Sequence, residues 1–228
     1  MGLSKRLQTI ADMVSAGGRL VDIGTDHGYI PIDLIQRGQI LSALAMDIGK
    51  GPLERAKEHV ASYGLETKIS CRLSNGFERY QKGEADTVVI AGMGGDLMEK
   101  ILEGGKDRLP EELILQPQSE WHKVRRFLAD HGYGIVEEKM VIDDGKYYVV
   151  IKAVAGKEMT LNQLEEKYGP YLLANKDEVL LEYLKRSVDT YTTIRQQLEK
   201  SETQSAQERV KELDEELEYL KGAMAHYE

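Results

Sequence analysis

Three acids near the start of the chain, Asp22, Asp26 and Asp47, stand where an α/β protein gathers a ligand. In the run Val21-Asp22-Ile23-Gly24-Thr25-Asp26-His27-Gly28-Tyr29, an apolar strand and an acid precede two spaced glycines and a helix. Gly24 and Gly28 let the backbone turn tightly and approach a ligand where a Cβ would collide. Met46-Asp47 closes the next strand, 19 residues past Gly28, and a carboxylate there accepts hydrogen bonds from both ribose hydroxyls of a nucleoside. The pattern is not a strict G-x-G-x-x-G, because Asp26 stands between the glycines. An acid in that turn repels a pyrophosphate and favours a cation. S-adenosyl-L-methionine has no phosphate and carries a sulfonium and an ammonium. The loop therefore reads as a methyl-donor cradle ahead of a dinucleotide site, the competing reading being a plain βα turn with two glycines.

The elements that must hold this loop follow from hydrophobic period. Strands are predicted at Arg19 to Ile23, Ser42 to Met46, Lys68 to Leu73, Asp86 to Ala91 and Glu112 to Gln116. Two further strand patterns, Gly134 to Ile142 and Lys146 to Val154, flank the tight-turn sequence Asp143-Asp144-Gly145 and should pair antiparallel. Helical patterns occupy about 29–37, 51–63, 96–103 and 119–131. Alternation of this kind implies a parallel sheet with right-handed crossovers. Five βα units closed by an antiparallel hairpin make an α/β, Rossmann-like sheet of the class I methyltransferase kind, whereas dehydrogenase sheets normally lack the final hairpin. This first domain is expected over 1–156.

Beyond it, residues 157–228 read as an α-helical coiled-coil domain. Ala206, Val210, Leu213, Leu217, Leu220, Met224 and Tyr227 repeat in alternating steps of four and three. Leu184, Val188, Tyr191, Ile194 and Leu198 do nearly the same one helix earlier, and Lys200-Ser201-Glu202-Thr203 separates the two. Residues 160–228 hold nine Lys+Arg against fifteen Asp+Glu, a net of −6, which argues against a uniformly phosphate-binding arm. The whole chain of 228 residues carries −9, so an RNA partner needs a local basic face. No 18-residue apolar run spans a membrane, and Met1-Gly2-Leu3-Ser4-Lys5-Arg6 lacks the apolar core of a signal peptide. Cys71 is the only cysteine, so no intrachain disulfide forms and a cytoplasmic setting is expected. No His/Cys/Asp group has metal-ligand spacing, and no metal is expected.

Four segments occur in order: Leu3-Ser4-Lys5-Arg6-Leu7, Asp22 through Pro31, Ala91-Gly92-Met93-Gly94-Gly95 and Leu115-Gln116-Pro117-Gln118. With the C-terminal helices they resemble the bacterial tRNA adenine-22 N1-methyltransferases, the TrmK family, over essentially the whole chain. The Asp-His-Gly-Tyr loop and the Gly-Met-Gly-Gly turn are fairly specific as a pair. The resemblance implies methyl transfer from S-adenosyl-L-methionine to N1 of an adenine in the D-arm region of tRNA. Composition and spacing alone reach a class I methyltransferase of unknown substrate. A small-molecule or protein methyltransferase and a non-catalytic cofactor-binding module therefore stay open as alternatives.

Chemistry and position then suggest roles. Asp22 fixes the turn or reaches the cofactor's ammonium through water, and Gly24 and Gly28 make room for the methionyl part. His27 either contacts the cofactor or bonds locally. Asp47 holds the ribose, with Ile48 over one adenine face. Asn75-Gly76 either reads the adenine edge or is an ordinary turn. Gly92-Met93 lies past the fourth strand, at the carboxyl edge where ligands gather. Asp26 either stabilises charge arriving on the methylated base or caps the helix starting near Gly28. Tyr29 either stacks on an extruded adenine or packs in the core. For RNA, Lys5-Arg6 is favoured over Lys50 with Arg55 and Lys57, and over Lys123 with Arg125-Arg126. His59, His122, His131 and His226 are read as scattered. A monomer is favoured.

Overall fold

The computed structural model describes residues 2–201 and 203–228, and the chain falls into two compact units, Met1–Thr160 and Leu161–Glu228. The first unit is built on a seven-stranded sheet: β1 (Arg19–Ile23), β2 (Ser42–Asp47), β3 (Ile69–Leu73), β4 (Thr87–Met93), β5 (Glu112–Pro117), β6 (Tyr133–Asp143) and β7 (Lys146–Ala155). Its order is β3-β2-β1-β4-β5-β7-β6. The first five strands pair in parallel, and β7 runs antiparallel to both β5 and β6. Central strands read as unbroken apolar runs, because helices cover both faces of a parallel sheet. Leu20, Val21, Val88, Val89, Ile90, Leu113 and Ile114 are all buried.

The helices are α1 (Lys5–Met13), α2 (Tyr29–Gln36), α3 (Lys50–Ser62), α4 (Gly95–Gly105) and α5 (Trp121–Asp130). Two features depart from expectation. The β3–β4 connection contains turns and no α-helix, so the alternation is not five complete βα units. There Phe77 and Tyr80 are both buried, their rings edge-on with centroids 5.5 Å apart. The second departure is α1, which the sequence reading left without an element. Ser4 caps it by accepting from Leu7 N, and Ile10, Ala11 and Met13 are buried on its inner side.

The compositional boundary at 156/157 lies short of the structural one. Met159 Sδ accepts from Ile135 N at 3.1 Å, and a Cβ on Gly134 would lie 2.5 Å from Lys157 Cβ. Residues 157–160 thus finish the sheet unit. The second unit holds two short helices, α6 (Gln163–Tyr168) and α7 (Pro170–Ala174), then α8 (Glu178–Leu198) and α9 (Gln204–Met224). Asn162 and Glu165 form a reciprocal capping box at the start of α6. Leu180 and Leu184 of α8 and Ala206, Leu213, Leu217, Leu220 and Ala223 of α9 are buried. Of the α8–α9 link, Glu202 lies outside the described residues. Within this unit the Arg195 guanidinium pairs with Asp214 at 2.5 Å and Glu199 at 2.6 Å.

Candidate active site

At the carboxyl ends of β1, β2 and β4 the sheet opens into a cleft of about 400 Å³. The β1–α2 loop forms its floor. Gly24 N and Thr25 N both donate to Met46 O, at 2.8 and 3.0 Å, which ties the loop to the end of β2. Gly24 has φ +81°, and a Cβ there would lie 2.3 Å from Met93 Cε. The left-handed backbone is what calls for glycine, and any Cβ would also make the flexible Met93 side chain swing aside.

Three carboxylates face this cleft, Asp22, Asp26 and Asp47. Asp22 is 5% exposed, and burial, reinforced by the neighbouring Asp47 charge, pushes its carboxyl up to about 6. The Thr25 hydroxyl lies close enough to offset part of that shift, without the alignment of a full hydrogen bond. Thr25 Oγ1 is thus a buried polar atom with no partner, on the cleft wall. Asp47 spends one oxygen on Gly49 N at 2.7 Å, leaving the other side of its carboxylate for a ligand. The next residue, Ile48, is 69% exposed and does not itself line the cleft.

Asp26 does not cap α2. Gly28, in the left-handed region at φ +67°, is the capping residue and offers no side chain. The Asp26 carboxylate instead meets Arg55 at 2.9 Å. His27 also has a left-handed backbone, φ +63°, which is costly for a residue with a Cβ. His59 holds it there: its Nδ1 lies 3.0 Å from His27 O, and since a carbonyl only accepts, Nδ1 carries the proton. The His27 ring stacks on Tyr29, centroids 5.2 Å apart, and His59 meets Tyr29 edge-on at 5.1 Å. His59 is therefore part of the loop's support, not a scattered histidine.

The opposite wall comes from distant sequence. Gly92 bulges out of β4, between the pairs Ala91↔Gln116 and Met93↔Pro117. Gln116, fully buried, accepts from Gly92 N at 3.1 Å and from Arg6 Nη1 at 2.7 Å. Arg6 also lies 5.3 Å from the Tyr148 ring centroid, and its backbone N donates to Asp143 at 3.1 Å. Hydrogen bonds from Ser4 and Arg6 hold the Asp143 carboxyl below the usual range.

The cleft thus collects Arg6, Asp22, Gly24, Asp26, Tyr29, Asp47, Gly92 and Met93 of the expected residues, with Leu7, Thr25 and Gln118 in addition. His27, Gly28 and the exposed Lys5 do not line it. Asn75 and Gly76 do not line it; Asn75 Nδ2 donates to Glu78 at 2.8 Å within its own turn. Thr25, Gln116 and His59 were missed. For Gln116 the available signal was the Leu115-Gln116-Pro117-Gln118 segment, noted for its resemblance but given no role.

Other basic candidates are largely engaged. Lys57 pairs with Glu54 at 2.8 Å and Lys123 with Asp96 at 2.5 Å. Arg125 is buried in an ion pair with Glu138 at 2.8 Å, so it cannot meet RNA. Among the described residues no cluster of His, Cys, Asp or Glu could hold a metal, and no helix is long and apolar enough to cross a membrane.

The family model for tRNA (adenine(22)-N(1))-methyltransferases, TrmK, matches residues 20–222. The chain belongs to that family. The tRNA (adenine(22)-N(1))-methyltransferase of Bacillus subtilis (strain 168) is 36% identical over 232 residues, covering 98% of each sequence. The crystal structure of the B. subtilis family member superposes with a TM-score of 0.88 over 98% of this chain and 99% of that one. A Streptococcus pneumoniae relative, 34% identical, was solved with S-adenosyl-L-methionine bound; its TM-score is 0.84, covering 98% of this chain and all of that one. The M. capricolum family member, 27% identical with a TM-score of 0.88, was solved with S-adenosyl-homocysteine; the match covers 98% of each chain.

Proposed function

We propose that this chain transfers the methyl group of S-adenosyl-L-methionine to N1 of adenine 22 in tRNA. The observation that carries the reading is the cleft itself: three carboxylates, one arginine and an unpartnered buried hydroxyl around a glycine loop. That charge balance suits a sulfonium and ammonium and disfavours a pyrophosphate. Asp47 accepts from the ribose hydroxyls and Ile48 covers one face of the adenine ring. Gly24 opens the loop for the methionyl part, with Asp22 and Thr25 Oγ1 directed to its ammonium, while Gly28 turns the backbone into α2 from outside the cleft. Gly92 and Met93 close the side facing β4. When bound, the cofactor supplies an electrophilic methyl on a positively charged sulfur.

The acceptor needs no strong base. Adenine N1 keeps an in-plane lone pair and attacks the methyl carbon as a neutral base; the carbon–sulfur bond breaks and S-adenosyl-homocysteine leaves. The positive charge moves to the purine, where it is either stabilised or relieved by loss of a proton from N6. The chain's contribution is in-line positioning and a field favourable to a dispersing charge. Tyr29 provides the stacking face for the extruded base, because a paired adenine cannot present N1. Asp26, in its partly exposed pair with Arg55, moderates the charge on that side. Lys5 and Arg6 guide the RNA, Arg6 from within the cleft wall. We assign the cofactor to the sheet unit and part of the RNA grip to the helical unit.

The test is methylation of an unmodified tRNA transcript with the reverse-transcription stop mapped. A stop at adenine 22 supports the reading. Cofactor binding without methylation of any tRNA refutes it, and favours a binding module.

A further inference from the structure

A second cavity, about 260 Å³, lies beside the cofactor cleft. It runs along one face of α2, where Tyr29, Ile32, Asp33 and Gln36 follow the i, i+3, i+4, i+7 spacing of a helix stripe. His59 of α3 and Tyr63, the residue that ends it, close one side, and Leu3 before α1 with Leu7 in its first turn closes the other. Two residues, Leu7 and Tyr29, line both this cavity and the cofactor cleft. Tyr29 is thus a shared wall, and it is a stiff one. Its ring is stacked on His27, and His59 meets it edge-on while also meeting Tyr63 edge-on at 5.4 Å.

We propose that the second cavity receives the nucleobase adjacent to the target adenine, with Tyr29 wedged between the two bases. This rests on the proposed function. The volume falls just below the roughly 300 Å³ at which pockets for drug-sized ligands begin, which fits one base and not a whole nucleotide. The lining combines apolar and aromatic side chains, among them Leu3, Tyr29, Ile32 and Tyr63, with the polar Asp33 and Gln36, a make-up that offers a base both stacking faces and hydrogen-bond partners. The target base itself does not belong there, because the Tyr29 wall would separate its N1 from the methyl donor. Extruding an adenine breaks its stacking on its neighbour, and a ring inserted at that step, with a pocket on each side, replaces the stacking for both bases.

The experiment uses full-length protein and tRNA transcripts that are intact or abasic at the nucleotide 5′ or 3′ of the target adenine. With wild-type protein, removing the base that enters the cavity should lower kcat/KM for tRNA about five- to hundred-fold, the range for losing one base–aromatic stack. Tyr63→Ala, which opens the cavity, and Leu3→Trp, which fills it, should each lower kcat/KM on intact tRNA. Neither should lower it further on that abasic tRNA, and cofactor affinity by calorimetry should stay within two-fold. Full activity on both abasic transcripts overturns the proposal. So do variants that lose the same factor on intact and abasic tRNA, or that lose cofactor binding. Failure of the wild type to methylate intact tRNA refutes the proposed function itself, and this inference falls with it.

Discussion

Asp22 should make cofactor binding depend on pH in a calculable way. Burial raises its carboxyl to about 6, against an ordinary value of 3.8. The folded chain therefore holds that proton more tightly than the unfolded chain does. Stability from this group is fully present below 3.8, falls as pH rises to about 6, and is constant above. The difference of roughly two pH units amounts to about 3 kcal/mol. A cation bound beside Asp22 reverses the cause of the shift and expels the proton. If the bound ammonium returns Asp22 to its ordinary range, affinity for S-adenosyl-L-methionine should fall about ten-fold from pH 7 to pH 5, since about nine-tenths of the free protein carries the proton at pH 5. The ligand's own amine and carboxylate, near roughly 8 and 3.5, keep their charges across that window. Calorimetry at both pH values, in buffers of different ionisation enthalpy, reads the affinity and the proton released. His27 and His59 stand by the loop, so Asp22→Asn is the deciding control: it should bind more weakly at pH 7 and lose most of the slope. It should also unfold at a higher temperature than wild type at pH 7 without ligand. An unchanged slope in Asp22→Asn, or a flat wild-type profile, refutes the reasoning.

Asp47→Ala should weaken cofactor binding by about 1.5–3 kcal/mol, ten- to a hundred-fold, by removing a charge-assisted acceptor; unchanged affinity in a folded variant removes Asp47 from the site. Asp26→Asn should leave cofactor affinity within several-fold and lower the single-turnover methylation rate, and a wild-type rate would confine Asp26 to its surface pair with Arg55. Ending the chain after Thr160 should leave a folded unit that binds the cofactor but grips tRNA less well. Cutting after 156 instead should also cost stability, since it removes Lys157 and Met159 from β6. Binding of tRNA across a salt series compares truncated with full-length protein, and equal affinities and slopes would assign the helical unit to stability alone.

Strands, glycine turns and the acids at their ends were legible in the sequence because each is written in a few neighbouring residues. The period of two or of 3.6 selects the element, a tight turn selects glycine, and the carboxyl edge of a parallel strand selects the ligand side. Asp22, Gly24 and Asp47 accordingly meet in one cleft. The heptad spacing of α9 likewise foretold its buried leucines. What stayed hidden depends on partners far apart in the chain. Leu7, Ile10, Ala11 and Val14 carry a helical stripe, but only docking against the sheet gives α1 its place beside the cofactor loop. Arg6 reads as a free cation until Gln116, 110 positions on, claims its guanidinium. Asp26 stands open between a charge-stabilising role and a helix cap until Arg55 arrives from α3, and Arg125, one of the less favoured RNA candidates, is removed by Glu138, which buries it. Local pattern sets the backbone's element and turn, whereas a side chain's partner is set by packing, where desolvation makes an unmet charge too costly to leave.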